Sequence, residues 1–184
     1  MNKNKTVLIT GSSTGIGFEC AKKFISKNYN VIAHYFEKNN NLNYFNESKN
    51  VEPIYCDFRD QESLKRFLDI IKEKDIAILI NNAGAFDFSK KEKNRMDHIR
   101  DVFSVNLTAP VLIAEAVIDK MKQRQIGHIL NISSIGSKYG SNSENIFYGI
   151  TKRGIESSTK SFARELAKYN ILVNSIRPGV TNTN

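Results

Sequence analysis

The 184-residue chain has no tryptophan, only three prolines and only two cysteines, Cys20 and Cys56. Two cysteines cannot build a disulfide framework, and they show no metal-ligand spacing, so the sequence predicts reduced thiols in a cytoplasmic protein. The longest apolar runs, such as IAILI, are far shorter than the ~20 residues that cross a bilayer. The first residues, MNKNKTVLITG, lack the apolar region of a signal peptide. The sequence therefore predicts neither a membrane protein nor a secreted one.

Length and charge limit the remaining classes. The sequence is 40% hydrophobic, enough for one domain with its own core, and we predict a single domain over residues 1–184. The net charge of +8 fits a solvated lysine-rich surface, or an anionic ligand or acidic carrier that a positive field would concentrate. No zinc-finger spacing, aromatic RNA-binding cluster or recognition helix accompanies the charge, so no nucleic-acid partner is predicted.

Short β-branched apolar runs alternate with segments of helical periodicity along the whole chain. This alternation predicts a doubly wound α/β fold, with a parallel sheet between two layers of helices. The predicted strands are Thr6–Thr10, Asn30–His34, Val51–Asp57, Ile76–Asn81, His128–Ser133 and Ile171–Arg177. The predicted helices are Ile16–Lys27, Asp60–Lys72 with Asp60 as N-cap, Met96–Gln123 and Tyr148–Tyr169. The Asn-rich segment Asn39–Asn50 is predicted as a loop or one or two helical turns.

The first strand leads directly into the sequence TGSSTGIG, which places Gly11, Gly15 and Gly17 in the turn before a helix. Glycines let a backbone approach a ligand closely, and the N–H groups and dipole of the helix stabilise negative charge. The turn therefore predicts a phosphate site, although the spacing is G-x-x-x-G-x-G rather than the general dinucleotide G-x-G-x-x-G.

The end of the second strand bears on which dinucleotide is bound. An acidic residue there accepts hydrogen bonds from a ribose 2′-hydroxyl and repels a 2′-phosphate. Tyr35 stands where that acid is expected, Glu37 follows past the strand end, and Lys38 could meet a 2′-phosphate. The sequence thus favours NADP(H) over NAD(H).

Two further strands end in polar or small residues at the same edge of the sheet. Asp57 follows the third strand, where its carboxylate could accept a hydrogen bond from an adenine amino group or cap a helix. Asn81, Asn82, Ala83 and Gly84 end the fourth strand, and their small size would let the backbone pass close to a cofactor ribose.

Asn106 interrupts the apolar stripe of the longest predicted helix, and Pro110 follows one turn later. A buried amide left unpaired would cost about 1–3 kcal/mol, so Asn106 requires partners. Bonding to nearby backbone and holding a catalytic water both remain open. Pro110 removes one helical hydrogen bond and can bend the helix.

Tyr148 and Lys152 lie four residues apart near the start of a predicted helix and therefore share a face. A lysine cation beside a phenol stabilises the phenolate, which favours proton transfer near neutral pH. Such pairs are common by chance, but Ser133 and Ser134 end the fifth strand at the same edge, where a hydroxyl can bind a substrate oxygen. No histidine has triad spacing, so the pattern indicates proton transfer coupled to hydride transfer.

In this order, the motifs from Lys5 to Thr183 resemble those of the short-chain dehydrogenase/reductase family. Its branch of single-domain reductases includes 3-oxoacyl-carrier-protein reductases and sugar or steroid alcohol dehydrogenases. The matching segments are TGxxxGIG at Thr10–Gly17, the adenine-contacting Asp57, NNAG at Asn81–Gly84, and PGxxxT at Pro178, Gly179 and Thr183. The resemblance implies parallel strand order 3-2-1-4-5-6.

The resemblance also assigns catalytic roles to four residues. Tyr148 would be the general acid of reduction, and Ser134 would orient the carbonyl. Lys152 would stabilise the Tyr148 phenolate and bind the nicotinamide ribose, while Asn106 would hold a water that relays protons to Lys152. Ser133 competes with Ser134 because the stretch up to Tyr148 aligns in two ways; Ser134 keeps Gly140 in the family's glycine position.

The resemblance departs at the end of the chain. Members of the family continue past PGxxxT with a helical substrate lid and a seventh strand, whereas this sequence stops at Asn184. The sixth strand would then be an unprotected edge, which favours pairing with another chain or local instability. Three interpretations stay open: a fragment, a truncated gene product, or a variant whose partner supplies the missing wall.

The resulting hypothesis is an NAD(P)(H)-dependent oxidoreductase, NADP(H)-preferring, that interconverts a carbonyl and a secondary alcohol. Its substrate would be a small carbonyl or alcohol or an acyl chain on a carrier, and the protein would be a homo-oligomer. The alternatives are a truncated nucleotide-binding protein with little turnover and a basic interaction module. The predicted cofactor-binding residues are Gly11, Ser13, Gly15, Ile16, Gly17, Tyr35, Asp57, Asn82, Ala83, Gly84, Tyr148, Lys152, Pro178, Gly179 and Thr183.

Overall fold

A computed structural model describes residues 5–86, 94–143 and 145–181 of the chain. Strands and helices alternate along these residues, as the sequence predicts. The strands are β1 (Thr6–Ile9), β2 (Asn30–Tyr35), β3 (Val51–Tyr55), β4 (Ile76–Asn81), β5 (Gly127–Ile132) and β6 (Ile171–Ile176). The α-helices are α1 (Gly15–Ile25), α2 (Asn41–Glu47), α3 (Gln61–Lys72), α4 (Arg95–Phe103), α5 (Ala109–Arg124), α6 (Gly136–Tyr139) and α7 (Ile146–Leu166). A π-helix, Ser104–Thr108, joins α4 to α5, and a 3₁₀ turn, Ala167–Tyr169, follows α7.

The six strands form one parallel sheet in the order β3-β2-β1-β4-β5-β6, which confirms the predicted order. On one side of β1, Val7 pairs with Val31 of β2, and on the other side Ile9 pairs with Ile80 of β4. The strand order therefore reverses between β1 and β4. In open parallel sheets, ligands bind in the crevice at the carboxyl ends of the strands at such a point.

The core lies on both faces of the sheet because successive strand residues point to opposite sides. Along β1, Leu8 packs into the cluster on the side of α3 and α5, whereas Val7 and Ile9 belong to the opposite cluster, which includes Phe45 of α2. All three β1 residues are fully buried. A strand buried on both faces explains why its sequence is continuously apolar.

Two local predictions have specific outcomes. Asp60 caps α3: its carboxylate accepts a hydrogen bond from the Ser63 N–H at 2.8 Å. The Asn-rich connection forms α2, which has seven residues, so it is a helix of about two turns and not a loop. The fully buried Phe45 anchors α2 to the sheet and stabilises a helix that its asparagines disfavour.

The helical stretch from Arg95 to Arg124 was predicted as one helix, and it contains a five-residue π-helix with Asn106 at its centre. Pro110 follows in the first turn of α5. Pro110 has no N–H to donate, so the regular hydrogen-bond ladder cannot be completed there. Single π turns of this kind occur frequently at functional sites.

The same stretch, residues 95–124, is long and apolar enough to cross a membrane by length and composition, the one such helix among the described residues. The short contiguous runs in the sequence did not reveal it. Its apolar residues Ile113, Val117 and Met121 are buried in the core. Core helices pass the same test, so the property is weak support for a membrane span.

Candidate active site

The turn between β1 and α1 has the geometry of an anion site. Gly11 has a φ of +62°, a conformation that favours glycine. A Cβ on Gly17 would lie 2.1 Å from the Gly11 carbonyl oxygen, so only glycine lets the helix approach the turn this closely. The first turn of α1 carries no acidic residue. Its N–H groups and dipole therefore favour a negatively charged ligand.

The ends of β1 and β4 are joined at this turn by Thr10 and Asn82. The Thr10 hydroxyl oxygen accepts hydrogen bonds from the N–H groups of Asn82 at 2.9 Å and Ala83 at 3.0 Å. The Asn82 amide in turn donates to the Gly11 carbonyl at 2.9 Å. The predicted small residues after β4 thus hold the glycine turn in place.

A buried histidine connects the glycine turn to the end of β3. The Gly11 N–H donates to Nδ1 of His34 at 2.9 Å, and His34 Nε2 lies 3.1 Å from the Cys56 carbonyl oxygen. Because Nδ1 accepts, the proton of a neutral ring is on Nε2, which donates to Cys56. The ring stacks on Phe58 at 4.1 Å, and burial lowers the pKa of His34 to about 4.

Two asparagines of the connection after β2 hold the other side of the glycine turn. The side-chain amides of Asn39 and Asn41 donate to the carbonyl oxygen of Ser13, at 2.9 and 2.8 Å. Asn39 Oδ1 also accepts from the Asn41 N–H at 3.0 Å. The Asn-rich segment therefore orders the turn that the sequence predicts as a phosphate site.

Asp57 lines a cavity of about 600 Å³ at the carboxyl ends of β2 and β3, which we call the Asp57 cavity. Arg59 donates to both Asp57 carboxylate oxygens at 2.8 Å, and its guanidinium lies 4.3 Å from the centre of the Phe36 ring. Phe36 and Glu37 line the same cavity. The Asp57 carboxylate is thus paired with the Arg59 cation. Among the described residues, the lining of the cavity carries this one cation and two carboxylates, those of Asp57 and Glu37.

Tyr148 and Lys152 lie in an adjoining cavity of about 440 Å³, which we call the Tyr148 cavity. Lys152 Nζ lies 5.7 Å from the centre of the Tyr148 ring and donates to the Ile132 carbonyl at 2.9 Å. The Lys152 side chain is 4% exposed, and burial lowers its pKa to about 8. Phe86 packs against the Tyr148 ring at 4.4 Å. The predicted tyrosine–lysine pair is therefore brought together beside the ends of β4 and β5.

Asn106 has the partners that its burial requires. Its side chain exchanges two hydrogen bonds with the Ala85 backbone and donates at 3.3 Å to the Thr151 hydroxyl, which itself donates to the Tyr148 carbonyl at 2.8 Å. The sequence left two roles open for Asn106, bonding to nearby backbone and holding a catalytic water. The structure contains the bonds to backbone. The contact also connects the segment after β4 to α7.

The two serines after β5 have different surroundings. Ser133 is 3% exposed, and its hydroxyl donates to the Glu156 carboxylate at 2.7 Å. Ser134 is partly exposed, and its hydroxyl oxygen accepts from the Gly136 N–H at 3.1 Å. Both residues line the Tyr148 cavity. The Ser133 proton is thus directed at Glu156, whereas the hydrogen bond of the Ser134 hydroxyl to Gly136 uses its oxygen as the acceptor.

The structure brings most of the predicted site residues to these two cavities. Those lining the Tyr148 cavity are Gly11, Gly15, Ile16, Asn82, Ala83, Gly84, Ser134, Tyr148, Lys152, Pro178 and Gly179. Ser13 and Asp57 line the Asp57 cavity, which also includes Gly11, Ala83 and Gly84. Tyr35 lines neither cavity and packs its ring against Tyr55 at 5.8 Å. Thr183 lies outside the described residues.

Several residues around the site were not predicted to take part. In the sequence, His34 has neither ligand nor triad spacing and was therefore assigned no role, and Asn39, Asn41, Glu156 and Arg177 were not singled out. One sequence signal was available: His34 interrupts an apolar run that is otherwise typical of a fully buried strand. A larger cavity of about 690 Å³ lies between α3 and α4–α5 and contains none of the predicted catalytic residues.

The two cavities share Gly11, Thr14, Ala83, Gly84 and Phe86, so they form one elongated cleft across the strand reversal. The glycine turn lies at the middle of this cleft. A Cβ on Gly17 would occupy the space in which the backbone of α1 approaches the Gly11 carbonyl. A cleft of this kind, with an anion site at its middle and a cavity on either side, fits a dinucleotide. The fold and site define a dinucleotide-binding α/β domain with a tyrosine–lysine pair.

The sequence matches the family model described as short chain dehydrogenase over residues 5–184. A 3alpha-hydroxysteroid dehydrogenase from Mediterraneibacter gnavus is 31% identical, with 100% of this chain and 76% of the relative covered. A 3-oxoacyl-[acyl-carrier-protein] reductase from Thermotoga maritima is 30% identical, with 98% and 76% covered. The chain thus spans about three quarters of the length of these relatives.

Solved structures agree with the sequence relatives. A 4-hydroxyisoleucine dehydrogenase complexed with NADH has a TM-score of 0.88 at 32% identity, covering 98% of this chain and 75% of that one. A short-chain dehydrogenase from Sphingobium yanoikuyae in complex with NADPH has a TM-score of 0.87 at 28% identity, covering 97% and 72%. The chain belongs to the short-chain dehydrogenase family. It is an oxidoreductase of the class that interconverts carbonyls and alcohols with a nicotinamide dinucleotide.

Proposed function

We propose that this protein is an NADP(H)-preferring reductase of ketones in which Tyr148 is the general acid. The observation that carries the proposal is the position of Tyr148 and Lys152 in one cavity that adjoins the glycine turn. A bound reduced nicotinamide supplies the hydride. Tyr148 donates the proton to the carbonyl oxygen, and Ser134 orients that oxygen by donating a hydrogen bond.

Lys152 supports this proton transfer by its charge. Its pKa of about 8 leaves the ammonium mostly charged at pH 7, and Coulomb attraction to the ammonium stabilises the Tyr148 phenolate that forms. Lys152 Nζ donates to the Ile132 carbonyl. A Cβ on Gly84 would lie 3.4 Å from the same Nζ atom. Gly84 thus leaves room beside Nζ for a ribose hydroxyl, and Asn106 holds the adjoining Ala85 backbone where a relay water can bind.

The preference for NADP(H) rests on the absence of an acidic residue at the end of β2, and charge in the Asp57 cavity acts on it. Tyr35 is not acidic, and Arg59 is the cation among the described residues that line this cavity. Glu37 lines it as well, and its carboxylate opposes a 2′-phosphate. Because Arg59 is paired with Asp57, the described lining keeps one net negative charge from Glu37. The preference is tested by comparing the dissociation constants of NADPH and NADH. Tighter binding of NADH would contradict it.

The proposed substrates are small ketones and acyl chains on a carrier. The relatives are named for hydroxysteroid and 3-oxoacyl-carrier substrates, which share a ketone or secondary alcohol on an apolar skeleton. The net charge of +8 favours an acidic carrier. Ile135 and Ile146 are exposed on segments next to Ser134 and Tyr148, and they offer apolar surface to such a skeleton.

We also propose a cytoplasmic homo-oligomer. Both cysteines are free thiols, which suits a reducing compartment. Strand β6 lies at the edge of the sheet, and its Leu172 and Ile176 side chains are 54% and 46% exposed. Such an edge favours pairing with a further strand of a second copy. Sedimentation at several protein concentrations tests this, and a monomer throughout would contradict it.

Mixing the protein with NADPH and a panel of ketones tests the catalytic proposal. Oxidation of NADPH should fall by about 10²- to 10⁴-fold in Tyr148→Phe, since the phenol is the general acid. Binding of NADPH should persist in the variant. Tyr139→Phe is the matched control, because this tyrosine is 72% exposed and does not line the cavity. Binding without any Tyr148-dependent oxidation would instead favour a nucleotide-binding protein without turnover.

A further inference from the structure

A buried carboxylate lies one helical turn after Lys152, outside the proposed proton path. Glu156 is on α7 and is 5% exposed. The guanidinium of Arg177 donates to both of its oxygens, Nε at 2.6 Å and Nη2 at 2.7 Å. A two-point contact of this kind fixes orientation as well as distance. Arg177 therefore holds the end of β6 in one position against α7.

The same carboxylate also binds the turn that follows β5. The Ser133 hydroxyl donates to Glu156 at 2.7 Å, and the Ser137 hydroxyl contacts the same carboxylate oxygen. The Arg177 guanidinium, opposed by burial and assisted by Ser137 and Ser133, holds the pKa of Glu156 well below its usual range. Glu156 is thus ionised at all working pH values.

The attached segments carry the groups that face the Tyr148 cavity. Ser133 precedes Ser134, and Arg177 precedes Pro178 and Gly179, which line the cavity. The Ile135 N–H donates to the Pro178 carbonyl at 3.1 Å, so the two segments are also bonded to each other. Glu156 is the point at which both of them meet the helix of Tyr148 and Lys152.

We propose that Glu156, through its fork with Arg177, is a positioning residue that sets Ser134 and the Pro178–Gly179 segment against the tyrosine–lysine pair. Its catalytic consequence rests on the proposed function. Misplacing reacting groups by about 1 Å can lower a rate about 100-fold, so this pair of a buried carboxylate and an exposed guanidinium affects turnover without touching substrate. The glycine turn and the residues that line the Asp57 cavity belong to other segments, which Glu156 does not hold in place.

Four variants separate positioning from stability. Glu156→Gln leaves the guanidinium without its anion, and Arg177→Lys keeps the charge but loses the fork. The double variant Glu156→Gln/Arg177→Met removes both charges of the fork, and Arg153, which also pairs with Glu156 at 3.2 Å, is 61% exposed and stays in contact with water. Glu165→Gln is the matched control, because Glu165 lies on the same helix and forms an exposed ion pair with Lys122 at 3.3 Å.

Turnover is the first measurement. We expect kcat to fall about 10- to 100-fold in Glu156→Gln and less in Arg177→Lys. We expect KM for NADPH to change less than about 3-fold, because the glycine turn keeps its contacts and only the Pro178–Gly179 segment of the predicted cofactor site is loosened. The double variant should recover the thermal midpoint but not kcat. Recovery of both together would overturn the proposal, since it would show that stability alone was lost.

Hydrogen–deuterium exchange is the second measurement, and it does not depend on activity. Segments 133–139 and 176–181 should exchange faster in Glu156→Gln and in the double variant, while segment 5–35 is unchanged and Glu165→Gln matches wild type. Unchanged exchange at both segments in the double variant would overturn the proposal. If wild type shows no Tyr148-dependent turnover, the proposed function fails, and exchange still decides whether Glu156 positions these segments.

Discussion

The side chain of Asn106 pairs with the backbone of Ala85 through two hydrogen bonds. Its Oδ1 accepts from the Ala85 N–H at 2.7 Å, and its Nδ2 donates to the Ala85 carbonyl at 2.9 Å. The amide thereby replaces the backbone partners that Ala85 lacks after β4 ends. A π-helical turn carries Asn106, so the irregular helix and the irregular segment stabilise each other.

Replacing Asn106 with leucine should lower the free energy of unfolding by about 2 kcal/mol, because both backbone groups of Ala85 lose their partner. Asn106→Asp keeps the acceptor but places an oxygen against the Ala85 carbonyl, so it should also be destabilised. Urea unfolding measures both. Asn46→Leu, at an exposed position of α2, controls for the change of residue type. Equal stability of Asn106→Leu and wild type would contradict the role of the pair.

His34 should make stability depend on pH. Its pKa of about 4 lies below the value near 6.5 of an unfolded histidine, because burial disfavours the charged ring. The unfolded chain therefore binds the proton more tightly. The stability that the neutral ring provides is complete above pH 6.5, falls as pH decreases, and is lost once pH passes about 4, a change of about 3 kcal/mol.

Urea unfolding between pH 4 and pH 7.5 measures this dependence. In His34→Gln the slope should decrease, since the amide can bond the Gly11 N–H and the Cys56 carbonyl without titrating. His128→Gln should keep the wild-type slope, because His128 is exposed. A wild-type slope in His34→Gln would show that other groups carry the pH dependence.

The strands and most of the cleft could be predicted because their signals are local in sequence, whereas the order of the strands came from the family resemblance. The apolar runs mark the buried strands, and TGSSTGIG marks the turn by its glycines alone. The helix α6 was missed, since four residues, Gly136–Tyr139, are too few to show a period. The π-helix was missed for a related reason: one inserted residue hardly changes the spacing of apolar positions.

The contacts that support the site were not predictable from spacing. His34 bonds Gly11, 23 positions away, and Arg177 bonds Glu156, 21 positions away. Gly11 and His34 meet only when β1, β2 and β3 have paired. Glu156 and Arg177 meet only when β5 and β6 have paired and α7 packs against them. Before that, His34 is a histidine on a strand and Glu156 a glutamate on a helix.

Removing the amides of Asn39 and Asn41 should weaken cofactor binding. Both donate to the Ser13 carbonyl, so the double variant Asn39→Ala/Asn41→Ala leaves the glycine turn less ordered before the ligand arrives. Two hydrogen bonds of about 1 kcal/mol each predict a dissociation constant for NADPH up to about 30-fold higher, with kcat little changed. Fluorescence titration with NADPH measures it.

The matched control is Asn43→Ala/Asn46→Ala, since both residues are exposed on the same segment. This control should bind NADPH as wild type does. Equal affinity of the two double variants would contradict a role for the Ser13 contacts.

Glu37 should limit the affinity for NADPH. Its carboxylate lines the Asp57 cavity together with Arg59, the cation already paired with Asp57. Glu37→Gln removes one negative charge from this space at nearly constant volume, and Coulomb repulsion of a 2′-phosphate decreases. The dissociation constant of NADPH should fall about 3- to 10-fold, corresponding to about 1 kcal/mol at the protein surface, while that of NADH stays the same or rises.

Parallel titrations at low salt measure both, and Glu47→Gln, exposed on α2, is the control. The difference should shrink at high salt, because exposed charges are screened there. An equal change for both dinucleotides would show that Glu37 acts on something they share and not on the 2′-group.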